Sequence, residues 1–134
     1  MERRPWLGAL AIDGAAVLLF AVGGRNSHDG DASVAAILGT AAPFLIGLAC
    51  GTAAVVALRR SPLSWIGGLT VWAATLVIGM VLRRFAWDRG TALSFVIVAA
   101  IALGAMFFGW RALWASIGSR RAVRSPRPPT AAES

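Results

Sequence analysis

Four stretches of this chain are long, apolar and almost free of charge, and they exclude most folds at once. They cover about residues 6–24, 34–58, 65–82 and 91–113. A helix rises ~1.5 Å per residue, so ~20 residues cross a ~30 Å hydrocarbon core. Each stretch approaches or exceeds that length. An open sheet cannot satisfy its backbone in lipid, and none of the stretches alternates polar with apolar residues as a barrel strand does. The links between them, 25–33, 59–64 and 83–90, are short, and short links force neighbouring helices to run antiparallel. The expected fold is all-α: a four-helix transmembrane up-and-down bundle occupying residues 1–117.

Composition agrees. Hydrophobic residues make up 57% of the chain, and mean hydropathy is +0.70. Charged residues are only 14%, against roughly 25% in an average soluble domain. The net charge is +7, and all 13 basic residues are arginine. A basic excess fits either nucleic acid or an anionic membrane surface; the apolar bulk selects the membrane. After Ile117 the chain carries Arg120, Arg121, Arg124 and Arg127 among prolines 126, 128 and 129. With little to bury, residues 118–134 read as a disordered basic C-terminal tail drawn to anionic lipid. No nucleic-acid partner is expected. The lone Cys50 cannot form an intramolecular disulfide.

Arg3 and Arg4 before an apolar run resemble the start of a signal peptide. The length of the run and the interruption by Asp13 argue for a retained first helix. Arginine placement then sets orientation. With the N-terminus inside, Arg3, Arg4, Arg59, Arg60, Arg111 and the four tail arginines are inside, and Arg25, Arg83, Arg84 and Arg89 outside. The expectation is a plasma (inner) membrane protein with both termini cytoplasmic. The outer pair Arg83-Arg84 departs from the rule, as structural noise or as an anion or partner site.

Few residues in the spans could carry chemistry. Asp13 is the one acid within an apolar run. An ionised carboxylate there costs about 2.5–3.5 kcal/mol on insertion scales, so it must face protein or water. Arg111, at the end of the fourth span on the same side, is the natural partner; the alternative is a proton- or cation-binding carboxylate. In the second span Ala35, Gly39, Pro43, Gly47 and Gly51 recur every four residues, and Gly47 to Gly51 forms a GxxxG. Such a small-residue stripe packs against a neighbouring helix or, as a second reading, against another copy in a homo-oligomer. Pro43 removes an intrahelical hydrogen bond and leaves a carbonyl that can line a site. The turn containing Arg25, His28, Asp29 and Asp31 lacks the second His or Cys of a good zinc site, so no metal and no cofactor are expected. Asp31 or Ser33 suits an N-cap for the second helix.

The Asp13 helix ends in Gly24-Arg25-Asn26-Ser27-His28. Ala42-Pro43-Phe44 and Gly47 follow, then Arg83-Arg84, Ser94-Phe95-Val96-Ile97 and Gly109-Trp110-Arg111. In order and spacing this resembles the uncharacterised bacterial and archaeal membrane family called domain of unknown function 3054, over roughly residues 9–113. The resemblance implies a four-helix integral membrane protein and lends no activity. It points to Asp13, Arg25, His28, Pro43 and Arg111.

No nucleophile elbow, zinc-helix motif or phosphate-binding loop is present, so no enzyme and no catalytic residue are expected. The leading functional reading is solute or proton transport or sensing through a polar inter-helix site. The alternative is a structural or accessory subunit of a larger membrane complex.

Overall fold

Two serines set where the second and third helices begin. In the computed structural model, which describes residues 4–26, 33–86 and 93–124, Ser33 Oγ accepts from the Ala36 N–H at 3.3 Å. Ser64 Oγ accepts from the Gly67 N–H at 3.0 Å and donates to the Ser61 carbonyl at 2.7 Å. Each serine satisfies an amide that the helix start leaves without a partner. The helices are α1 Pro5–Asn26, α2 Val34–Ala57, α3 Trp65–Phe85 and α4 Leu93–Arg124. All four are long and apolar enough to cross a membrane.

The boundaries differ from expectation at two places. α1 continues through Arg25 and Asn26, which the sequence placed in the link 25–33. α4 continues to Arg124, past the expected end at 113 and seven residues into the expected tail. Nothing between 113 and 124 breaks a helix. Arg and Ala favour it, and Ser116 and Ser119 hydroxyls return to carbonyls one turn back. Arg121 and Arg124 in the last turn complement the helix dipole. Residues 125–134 lie outside the described residues.

α2 ends in a left-handed residue, Arg59, with φ 55°. Its N–H donates to the Val56 carbonyl and the Arg60 N–H to that of Val55, a glycine-type helix ending made with arginine at a cost of about 1 kcal/mol. The chain then turns so tightly into α3 that a Cβ on Gly67 would collide with the Ser61 carbonyl.

α2 and α3 pack most intimately. A Cβ at Gly47 would sit 3.0 Å from the Thr75 carbonyl oxygen, and one at Gly51 would sit 2.8 Å from Ala74 Cβ. Gly79 receives the Phe44 ring, with Cδ1 2.5 Å from where a Cβ would be. Rising numbers on α2 meet falling numbers on α3, so the two run antiparallel. The GxxxG of α2 therefore packs inside the chain, the first of the two readings.

α1 packs on α2 and closes the ring on α4, and α3 packs on α4; among the described residues no diagonal pair approaches through its backbone. Buried Val17, Phe20, Phe44, Leu48, Leu103 and Phe107 fill the centre. Phe20 meets Phe44 edge-on at 5.8 Å between centroids, with Phe95 tilted against both. The outside is apolar too: Leu19, Val77 and Ile101 are each more than 60% exposed, and only 17% of the α4 span is buried. A continuous apolar exterior is the surface that lipid wets and water does not. The protein is a multi-pass membrane bundle.

Candidate polar site at one end of the bundle

On α1, Ala9, Asp13, Val17 and Ala21 recur every four residues and are all buried. On α4 the same spacing buries Ala99, Leu103, Phe107 and Arg111. Residues four apart share a helix face, so each charged residue is carried into the bundle by an otherwise apolar row. Asp13 lies early in α1 and Arg111 late in the membrane part of α4. Antiparallel helices bring these depths together.

The two side chains form a bidentate pair. Arg111 Nη1 donates to Asp13 Oδ1 at 3.0 Å and Nη2 to Oδ2 at 2.8 Å. Both side chains are 1% exposed. Trp110 Nε1 adds a bond of 2.7 Å to Oδ1. Arg111 Nε donates to the Pro62 carbonyl at 2.9 Å, and Nη1 also to the Phe107 carbonyl at 2.8 Å. Four of the five guanidinium N–H donors are therefore used. The Trp110 ring lies 4.5 Å from the guanidinium carbon, near enough for a cation–π contact. Among the described residues no buried side-chain nitrogen or oxygen lacks a hydrogen-bond partner.

α3 makes room for this cluster. A Cβ at Gly68 would stand 2.8 Å from Arg111 Nε and 2.9 Å from its Cδ. Arg111 thus joins three elements: Asp13 on α1, the α2–α3 link through the Pro62 carbonyl, and the first turn of α3 across Gly68. A buried pair must recover the desolvation of both ions, and it does so only with good geometry and satisfied remaining donors. Both conditions hold here. The carboxylate has both oxygens bound and the pair is neutral as a unit, an arrangement suited to fixing helices at one depth.

Of the residues the sequence singled out, the structure joins Asp13 to Arg111. Sequence reasoning missed Trp110, Gly68 and the Pro62 carbonyl. The glycine doublet 67–68 at the start of α3 was the available signal for the last two. Pro43 is fully buried within a continuous α2. Arg83 lies over the Phe95 ring at 4.3 Å, and Arg84 borders an apolar groove with Met80, Val81 and Val96. Fifteen residues of α3 separate Gly68 from Arg83, about 22 Å along the axis, so these arginines are at the other end. Arg25 falls in the last turn of α1. His28, Asp29, Asp31 and Arg89 lie outside the described residues, and with them the polar turn considered for a metal.

Comparison with curated proteins and with solved structures returns no match. A family model does match, over residues 10–114. That span runs from just before Asp13 to just past Arg111 and covers α2 and α3 whole and most of α1 and α4. The chain belongs to the family described as protein of unknown function (DUF3054).

Proposed function

We propose that this protein is a structural or accessory subunit of a larger membrane assembly, with no catalytic chemistry of its own. The observation that carries this reading is that both oxygens of the buried Asp13 carboxylate are engaged. Both carboxylate oxygens are held by Arg111 and one also by Trp110, at 2.7–3.0 Å. A carboxylate that ferries protons or cations must exchange partners. This one would have to give up a bidentate guanidinium whose Nε is itself anchored to the Pro62 carbonyl. A clamp that fixes the relative depth of α1, α3 and α4 suits a protein whose product is a defined lipid-embedded surface. We place it in the plasma membrane with both termini cytoplasmic, on the arginine distribution.

The test is reconstitution into liposomes containing a trapped pH dye, alongside mild cross-linking in native membranes. The expected result is proton flux equal to that of empty liposomes under an imposed potential, and one stoichiometric partner chain in the cross-linked species. Flux above empty liposomes that disappears in Asp13→Asn would overturn the proposal in favour of proton transport.

A further inference from the structure

Arg111 points into the bundle, but the arginines beyond it on α4 do not. Successive residues turn ~100° about a helix axis. Arg120 therefore falls on the side opposite Arg111, with Arg124 about 40° from Arg120. Both are exposed. At the same end of the molecule, beside the Pro62 carbonyl that Arg111 holds, the α2–α3 link carries Arg59 and Arg60, also exposed. Among the described residues none of these four guanidiniums has a hydrogen-bond, ion-pair or ring partner. Asp13 is the sole acid among those residues, and it is buried against Arg111. The far end differs: Arg83 lies over Phe95 and Arg84 has a partner of its own.

We propose that this end of the bundle binds anionic phospholipid headgroups through Arg59, Arg60, Arg120 and Arg124. Their depth follows from where the exposed apolar bands stop. On α4 that band runs from Leu93 to Ile117, and on α2 from Val34 to Leu58. Each spans 24 residues or about 36 Å, which crosses a ~30 Å hydrocarbon core at a tilt. The headgroup layer beyond the core is about 5–7 Å thick. Arg59 follows Leu58 directly and Arg120 follows Ile117 by three residues, so their side chains emerge among headgroups. Trp65 and Trp114 are exposed near the same boundary, where indole rings favour the interface. Charge then selects the lipid. Four guanidiniums with no exposed acid among the described residues attract a headgroup of net negative charge over a zwitterionic one, and the guanidinium fork matches a phosphate. Arg59 also holds a backbone φ of 55°, which glycine adopts without strain. The fold therefore gains nothing from an arginine at that position, whereas a headgroup contact does.

For the test, the full chain is purified in mild detergent and given equal amounts of phosphatidylglycerol and phosphatidylcholine with identical acyl chains. Native mass spectrometry reads the ratio of the two lipids retained. The unaltered chain should retain phosphatidylglycerol in clear excess. Arg59→Gly with Arg60→Gln, and separately Arg120→Gln with Arg124→Gln, should each lower that excess at least five-fold, the factor for one arginine near an anionic surface. Lysine at all four positions should preserve most of it, and Arg84→Gln, at the other end, should leave it unchanged. Arg59→Gly should unfold at no lower sodium dodecyl sulfate concentration than the unaltered chain, which separates loss of lipid from loss of fold. An undiminished excess when all four arginines are replaced, or an equal fall in Arg84→Gln, would overturn the assignment. Equal retention of the two lipids by the unaltered chain would also overturn it, in favour of an acidic protein surface as the partner.

Discussion

Removing one member of the Asp13–Arg111 pair should be far worse than its hydrogen-bond count suggests, and removing both should be no worse than removing one. Asp13→Ala deprives the Arg111 guanidinium, only 1% exposed in the intact pair, of the carboxylate that two of its donors hold. In Arg111→Ala the carboxylate keeps only Trp110. Stranding one charge of a buried pair costs about 3–5 kcal/mol. Independent losses would sum to about 6–10 kcal/mol in the double variant, but removing both charges abolishes the stranded ion. The double variant should therefore lose no more than a single one, giving a coupling energy of about 3 kcal/mol or more. That stands well above the roughly 0.6 kcal/mol average, and the ~1.7 kcal/mol maximum, of measured hydrogen bonds between membrane helices. The assay is a double-mutant cycle in mixed micelles, unfolding with rising sodium dodecyl sulfate and reading far-ultraviolet circular dichroism. Asp13→Asn with Arg111→Gln supplies a milder cycle if an alanine variant does not fold. Additivity within ~0.5 kcal/mol would show that the pair does not join α1 to α4 energetically.

Three other substitutions follow from local geometry. Gly68→Ala should displace Arg111 and destabilise the bundle by about 1–3 kcal/mol in the same assay, since its Cβ would lie 2.8 Å from Nε. Gly109→Ala meets nothing within 4 Å and should leave stability unchanged or raise it by up to ~1 kcal/mol through helix propensity; the reverse order would contradict the assigned packing. Gly79→Ala drives a methyl to 2.5 Å from the Phe44 ring and should cost about 1–3 kcal/mol, with relief when Phe44 is shortened to Leu. For orientation, cysteines placed at Ser27 or Ser119 in a Cys50→Ala background should differ: an impermeant maleimide outside the cell labels the first and spares the second.

The spans, their number and the membrane as solvent follow from the sequence alone, because a run of ~20 apolar residues has few other ways to satisfy its backbone. The partnership of Asp13 with Arg111 was legible for the same kind of reason. A charge in hydrocarbon is costly enough to demand a counter-charge, and antiparallel helices equalise depth. A cap for α2 at Asp31 or Ser33 was legible from their place before an apolar run, and the structure puts it at Ser33.

What the tertiary structure decided was rotation and distance. Whether Trp110 faces lipid or Asp13 depends on how far α4 turns about its axis, which hydropathy does not fix when nearly every face is apolar. The same holds for Gly47 and Gly51: a small-residue stripe permits close approach, but only the assembled bundle chooses α3 of the same chain. Gly68 and the Pro62 carbonyl matter because a third element closes over the arginine, at separations of 43 and 49 residues along the chain from Arg111. The length of α4 escaped for a different reason. Hydropathy marks where a helix leaves the hydrocarbon, whereas the helical backbone continues through polar residues as far as Arg124.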